Sequence, residues 1–267
     1  MSALDRGQVN RNAAEVYEEF FIPALFAEWP DRVAAAAHVQ SGHSVLDVGC
    51  GTGILARTAA AHAGRTGAVV GIDVNDGMLA VAQRKAPYID WKQGQAESLP
   101  FENSRFDVVV SQFALMFFDD RRTALREMMR VLRPGGRLAV AVWSSLDDTP
   151  GYAAMVSLLQ RLFGDQAANA LRAPYALGDK QELHSLFRDA GIADAGIATH
   201  QGTARFPSIR SWVYTDIKGW VLADAFDDDK LSVLVAEAEQ ELQRFVNGDG
   251  TVAFDAPAHI VAASKPS

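Results

Sequence analysis

Val45-Leu46-Asp47-Val48-Gly49-Cys50-Gly51-Thr52-Gly53 reads as a buried strand, a glycine loop and the start of a helix, and Gly71-Ile72-Asp73 follows one crossover later. The second segment predicts another strand, ending on an acid. Glycines let the loop backbone approach a ligand without Cβ obstruction. An acid at the end of the next strand can accept both hydroxyls of a ribose. Together the two segments predict a nucleoside-bearing cofactor laid across the carboxyl edge of a parallel sheet. A dinucleotide site calls for G-x-G-x-x-G, but the third glycine would fall at Ile54. Asp47 stands inside the end of the first strand, where a carboxylate repels a pyrophosphate and attracts a cationic amino-acid end.

S-adenosylmethionine (SAM) has that character, with an α-ammonium, a sulfonium and an adenosine but no phosphate. The segment resembles the first motif of class I SAM-dependent methyltransferases, and further matches follow in order. Gly94-Gln95-Ala96-Glu97-Ser98-Leu99-Pro100-Phe101 is similar to the third-strand loop of that family, GDAE-x-LPF. Phe106-Asp107-Val108-Val109-Val110-Ser111-Gln112 is similar to its fourth strand, and Arg130–Leu138 to the turn before its fifth. The resemblance is closest to the branch that includes the ubiquinone and menaquinone C-methyltransferases. It covers residues 40–145 closely and the remainder in outline. It implies a Rossmann-like α/β fold with a mostly parallel seven-stranded sheet, helices on both faces, an antiparallel last strand and helical lid insertions.

The same resemblance implies roles. Asp47, Gly49, Cys50, Gly51 and Gly53 would hold the amino-acid end of SAM, and Asp73 with Val74 the ribose. Met78, Gln95, Ala96 and Glu97 would surround the adenine, with Ser111 and Gln112 near the sulfonium. Gln95 departs from the family pattern, which has Asp there to accept from the adenine amino group; a Gln carbonyl accepts without charge. N-terminal helices cover the cofactor in this family, which points to Tyr17 and Arg11.

Composition narrows the alternatives. A chain of 267 residues with 49% hydrophobic content can bury a substantial core. A net charge of −8 and no Lys/Arg cluster argue against a nucleic-acid partner. Cys50 is the only cysteine, so neither a disulfide framework nor a metal-ligand cluster is expected. The start, with Asp5, Arg6 and Asn10, does not read as a signal peptide, and no run approaches the roughly 18 apolar residues of a membrane span. A cytoplasmic protein is expected; the sequence admits a homodimer without specifying one.

Periodicity organises the chain into a helical cover (1–40), a SAM-binding core (41–146), lid insertions at 147–178 and 207–248, and a final strand at 251–264, all within one methyltransferase domain. Core strands are predicted at 44–48, 68–73, 89–93, 106–111 and 136–143, with helices at 53–63, 76–85 and 120–132. Residues 196–206 and 251–263 alternate as a closing antiparallel pair. Ile209, Trp212, Val213, Ile217 and Trp220 share one helical face.

Phe113 and Phe117 after the fourth strand, Trp143 at the end of the fifth, and Tyr152 and Trp212 in the insertions predict an aromatic acceptor pocket. That favours a small, apolar acceptor. In-line attack on a sulfonium methyl needs orientation and desolvation above all, and a base only if the acceptor must lose a proton. Met116 stands where many relatives carry a His. His184, His200 and His259 read as packed or solvated residues, so no catalytic base is assigned. Two other readings are a non-catalytic SAM or nucleoside binder and an NAD(P)-dependent oxidoreductase; Ile54 and Asp47 oppose the latter.

Overall fold

The computed structural model describes residues 11–219, 222 and 225–267. Asp5, Arg6, Asn10, Trp220 and the side chain of Arg11 lie outside the described residues. The apolar runs become a central sheet: β1 (Ser44–Val48), β2 (Ala68–Asp73), β3 (Asp90–Gln93), β4 (Phe106–Gln112), β5 (Leu132–Trp143), β6 (Gly196–His200) and β9 (Ala258–Ser264). Their order is β3-β2-β1-β4-β5-β9-β6. The strands from β3 to β5 pair in parallel, and β9 runs antiparallel between β5 and β6. Register puts Asp47 beside Gly71 on one side and Val110 on the other, at the centre of the sheet. The order reverses beside β1, which opens a crevice at the carboxyl edge.

The helices between strands are α3 (Ile54–Ala63), α4 (Asp76–Lys85) and α5 (Arg121–Val131). Asn75 caps α4 by accepting from the Met78 N–H at 3.0 Å, and Asp120 caps α5 through the Arg122 and Thr123 amides. The N-terminal cover starts as α1 (Arg11–Val16) and widens into a π-helical segment, Tyr17–Phe26. Pro23 lies within that segment and offers no N–H to the helical ladder. The short α2 (Pro30–Ala36) follows.

The closing pair differs from the sequence expectation. Residues 196–206 divide into β6 and β7 (Thr203–Phe206), and residues 251–264 into β8 (Val252–Asp255) and β9. β7 and β8 form a separate two-stranded sheet. The break has a local cause: Pro257 has no N–H for a ladder, and at Gly202 a side chain would collide with the Trp29 ring. The insertions hold α6 (Pro150–Phe163), α7 (Asp165–Arg172), α9 (Ile209–Lys218) and α10 (Asp228–Glu241), while α8 (Lys180–Asp189) leads into β6. The two insertions meet each other through Tyr152 and Asp216 and through Arg161 with Glu237 and Glu241. Among the described residues, no helix is long and apolar enough to cross a membrane.

Candidate active site

A cleft of about 360 Å³ opens at the carboxyl ends of β1, β2 and β4, under the N-terminal cover. The loop after β1 forms its floor. Gly49 (φ +69°) and Gly53 (φ +86°) are both left-handed, and a Cβ at either would collide, with Ala114 and with Trp91 respectively. Gly53 therefore serves the packing of the loop on Trp91 and caps α3; it does not line the cleft. Gly49, Cys50, Gly51 and Thr52 do line it. The Gly49 and Cys50 amides donate to the Ile72 carbonyl at 2.8 and 3.0 Å, tying the loop to β2.

Asp73 locks the same loop. Its Oδ2 accepts from the Gly51 N–H and its Oδ1 from the Asn75 N–H, each at 2.8 Å. Each oxygen keeps a further lone pair for a hydroxyl. Burial raises the Asp73 carboxyl above the ordinary carboxylate range, while the Asn75, Gly51 and Val74 amides pull it back. Asp47 has no such support. It is 1% exposed, and neither carboxylate oxygen has a hydrogen-bond partner. Burial pushes its carboxyl up to about 8; the Ala56 amide offsets this in part without hydrogen bonding to it, and Asp73 adds repulsion.

Thr52 Oγ1 and Gln112 Oε1 are likewise buried in the cleft wall without partners. A carboxylate and two neutral acceptors, all unsatisfied, are costly unless a donor-rich group meets them. An ammonium with three donors and a positive charge fits that set. Asp73 fits a vicinal diol. The donor set of the cleft thus matches the amino-acid and ribose ends of SAM.

The other sequence-predicted residues distribute around this cleft. Tyr17, Val74, Met78, Gln95, Ala96 and Glu97 line it. Burial raises the Tyr17 hydroxyl, and Glu18 and Asp73 add to the effect. Burial also raises the Cys50 thiol, which favours the inert protonated form. Ser111 does not reach the cleft: successive strand residues face opposite sides, so Gln112 points in and Ser111 is fully buried. Thr52 and Asn75 line the cleft without having been singled out as ligand contacts, although Thr52 sits inside the quoted loop.

A smaller hollow of about 30 Å³ adjoins the cleft, and Phe113 and Phe117 wall both. Trp143, Tyr152 and Tyr175 complete an aromatic lining with Phe21 and Phe26 of the cover. Phe113 has φ +55°, a left-handed conformation that is costly for a bulky side chain. Its ring stacks on Trp143 at 3.8 Å and 8°, and its amide donates to Ala141 at 2.9 Å. Trp212 is not in this wall: it is fully buried behind Tyr152, 4.7 Å from Phe254 and 5.7 Å from Phe206. Alpha-helix α9 turns that face toward the small β7–β8 sheet, which is why periodicity alone misplaced it. His259 is packed: it is 1% exposed, with Nε2 2.9 Å from the Gly178 carbonyl and Nδ1 3.0 Å from Thr199 Oγ1. Met116 is buried and His184 exposed.

Residues 46–140 match the model of a family described as a methyltransferase domain. The chain is 32% identical over 188 residues to the demethylmenaquinone methyltransferase of Staphylococcus saprophyticus, covering 65% of this chain and 80% of that one. Over 122 residues it is 39% identical to the ubiquinone/menaquinone biosynthesis C-methyltransferase UbiE of Pseudoalteromonas translucida, covering 43% of this chain and 49% of that protein. In fold it is similar to the YcgJ protein of Bacillus subtilis, with TM-score 0.61, 19% identity, and coverage of 90% of this chain and 99% of that one. A phosphoethanolamine N-methyltransferase 2 of Haemonchus contortus, solved with SAM, aligns with TM-score 0.63 and 21% identity over 99% of this chain and 59% of that one. This places the chain among enzymes and removes the oxidoreductase and non-catalytic readings. It belongs to the class I SAM-dependent methyltransferase family, in the branch of the ubiquinone and menaquinone C-methyltransferases, and SAM is its cofactor.

Proposed function

We propose that this enzyme methylates a small hydroxylated aromatic molecule of the quinol kind. The observation that carries the reading is the aromatic lining of Phe113, Phe117, Trp143, Tyr152 and Tyr175 beside the cofactor cleft, whose hollow of about 30 Å³ has to widen to admit a ring. The relatives named as demethylmenaquinone and ubiquinone/menaquinone methyltransferases support the same acceptor class. Phe113 and Trp143, stacked on each other in that lining, give it the character that suits a planar aromatic acceptor.

Asp47, with Thr52 and Gln112, holds the amino-acid end of SAM, and the Gly49–Thr52 backbone lies along it. Asp73 accepts from the ribose hydroxyls, and Gln95, Ala96, Glu97, Val74 and Met78 border the adenosine. Bound SAM supplies an electrophilic methyl group on a sulfonium. The aromatic wall excludes water and presents the acceptor in line; well-oriented partners reach effective molarities of about 10⁵ M or more. The acidic net charge of −8 fits an acceptor that is not a nucleic acid.

The test is incubation of purified enzyme with methyl-labelled SAM and 1,4-naphthoquinol under reducing conditions, with the product identified by mass spectrometry and NMR. Label on the naphthalene ring or its oxygens is expected. Absence of transfer to this and to substituted quinols, alongside intact binding of S-adenosylhomocysteine (SAH), would remove the acceptor reading.

A further inference from the structure

Behind the Tyr152 wall of the aromatic hollow lies a buried polar pair that joins the two lid insertions. Tyr152 of α6 lines the hollow and is 2% exposed; its hydroxyl donates to Asp216 Oδ1 of α9 at 3.1 Å. Asp216 is 1% exposed, and its Oδ2 has no hydrogen-bond partner. Among the described residues no basic side chain forms an ion pair with it. The groups around the pair are Tyr175, whose ring is 5.9 Å from that of Tyr152, and the Trp212 indole, at 6.0 Å. Among the described residues, this carboxyl group among aromatic rings has no cation to offset its desolvation.

A merely structural pin between the two lid insertions does not call for this. Burying a carboxyl group without a counter-ion is costly, and an apolar residue of similar volume would hold α6 to α9 at less expense. Burial drives the Asp216 carboxyl well above the ordinary range, with Tyr152 and Trp212 pulling it back, and burial likewise raises the Tyr152 and Tyr175 hydroxyls. In its ionised form, a carboxyl buried one hydroxyl away from a ligand cavity binds a proton strongly.

We propose that Tyr152 and Asp216 form a proton relay that takes a hydroxyl proton from the methyl acceptor. The inference rests on the acceptor reading above and specifies its chemistry: the acceptor carries an O–H that meets the Tyr152 oxygen. Starting from ionised Asp216, the acceptor O–H bond breaks and its proton passes to the Tyr152 oxygen while the Tyr152 proton passes to Asp216 Oδ1. Tyr152 ends as it began, Asp216 ends neutral, and the acceptor is left with the electron pair that forms the new bond to the methyl group. Tyr152 touches the acceptor; Asp216 acts through it.

The experiment first titrates SAH into wild type, Tyr152→Phe and Asp216→Asn, so that loss of the cofactor site is read separately. With SAH bound, 1-naphthol and 1-methoxynaphthalene are compared, two ligands that differ at the hydroxyl proton. Wild type should prefer 1-naphthol by roughly tenfold or more, and Tyr152→Phe should bring the two within about twofold. Equal affinity in wild type, no binding of either ligand, or a preference that survives in Tyr152→Phe overturns the relay. With 1,4-naphthoquinol and SAM, Asp216→Asn should lower kcat about 100-fold or more with KM within about threefold; retention of kcat also overturns it. If wild type binds SAH but transfers no methyl group to this or to substituted quinols, the acceptor reading fails, while the naphthol comparison still decides whether a ligand hydroxyl meets Tyr152.

Discussion

SAM affinity should pass through a maximum near pH 8, because Asp47 and the ligand must be ionised at the same time. The Asp47 carboxyl titrates at about 8 in the ligand-free fold, and only its anionic form attracts an ammonium. An α-amino group titrates at about 7.7–8.0. Taking the product of the two ionised fractions, the competent population falls roughly 20-fold from pH 8 to pH 6, about 1.8 kcal/mol. The slope approaches tenfold per pH unit on the acid side and belongs to the protein; the alkaline limb belongs to the ligand. Among the described residues no histidine lines the cleft, and the Asp47→Asn variant separates Asp47 from Asp73, the other raised carboxyl there. Calorimetric Kd values for SAM at half-unit steps from pH 6 to 9 provide the assay. Asp47→Asn should bind more weakly at pH 8 and lose the acid limb while keeping the alkaline one. A Kd that stays flat between pH 6 and 8, or an acid limb that survives in Asp47→Asn, refutes the reasoning.

Three further outcomes are expected. Asp73→Ala removes the acceptor of the Gly51 and Asn75 amides and the proposed diol site together; the Kd for SAM should rise at least tenfold with the circular dichroism unchanged, and unchanged affinity would remove the ribose assignment. Glu18 of the cover receives Arg57 of α3 at 3.1 Å and Lys85 of α4 at 3.0 Å, with its side chain 8% exposed. Stopped-flow release of SAM should be several-fold faster in Glu18→Ala; an unchanged rate would show that this latch does not hold the cover. For stability, the Asp47 carboxyl is raised from an ordinary 3.8 to about 8, so the fold binds its proton more tightly than the unfolded chain. The stabilisation is complete below pH 3.8 and lost as pH rises to about 8, so ligand-free wild type should lose Tm from pH 5 to 8 more steeply than Asp47→Asn. Parallel Tm curves would contradict the assignment.

The core was legible because each of its rules is local. Buried apolar runs bounded by turn residues set β1, β2 and β4, and helical periodicity sets α3, α4 and α5. Asp47 and Asp73 stood out because an acid at the end of an apolar strand has few bland explanations. Ser111 and Gln112 are neighbours in sequence on opposite faces of one strand, and only pairing register decides which one meets the ligand. The lid was harder to read. Trp212 and Tyr152 lie on helical faces that look alike in sequence, yet one seals the insertion's own core and the other walls the hollow. Asp216 is one acid on an otherwise ordinary amphipathic helix; its isolation exists only once α6, α9 and the β7–β8 sheet have met.

The most direct test of the central claim is a crystal structure with SAH bound. The account predicts the ligand's ammonium within about 2.7–3.2 Å of the Asp47 carboxylate, its ribose hydroxyls on Asp73, and its sulfur facing the Phe113–Trp143 stack. An amino-acid end seated beside Gln95 and Glu97, with Asp47 still unpartnered, would contradict it.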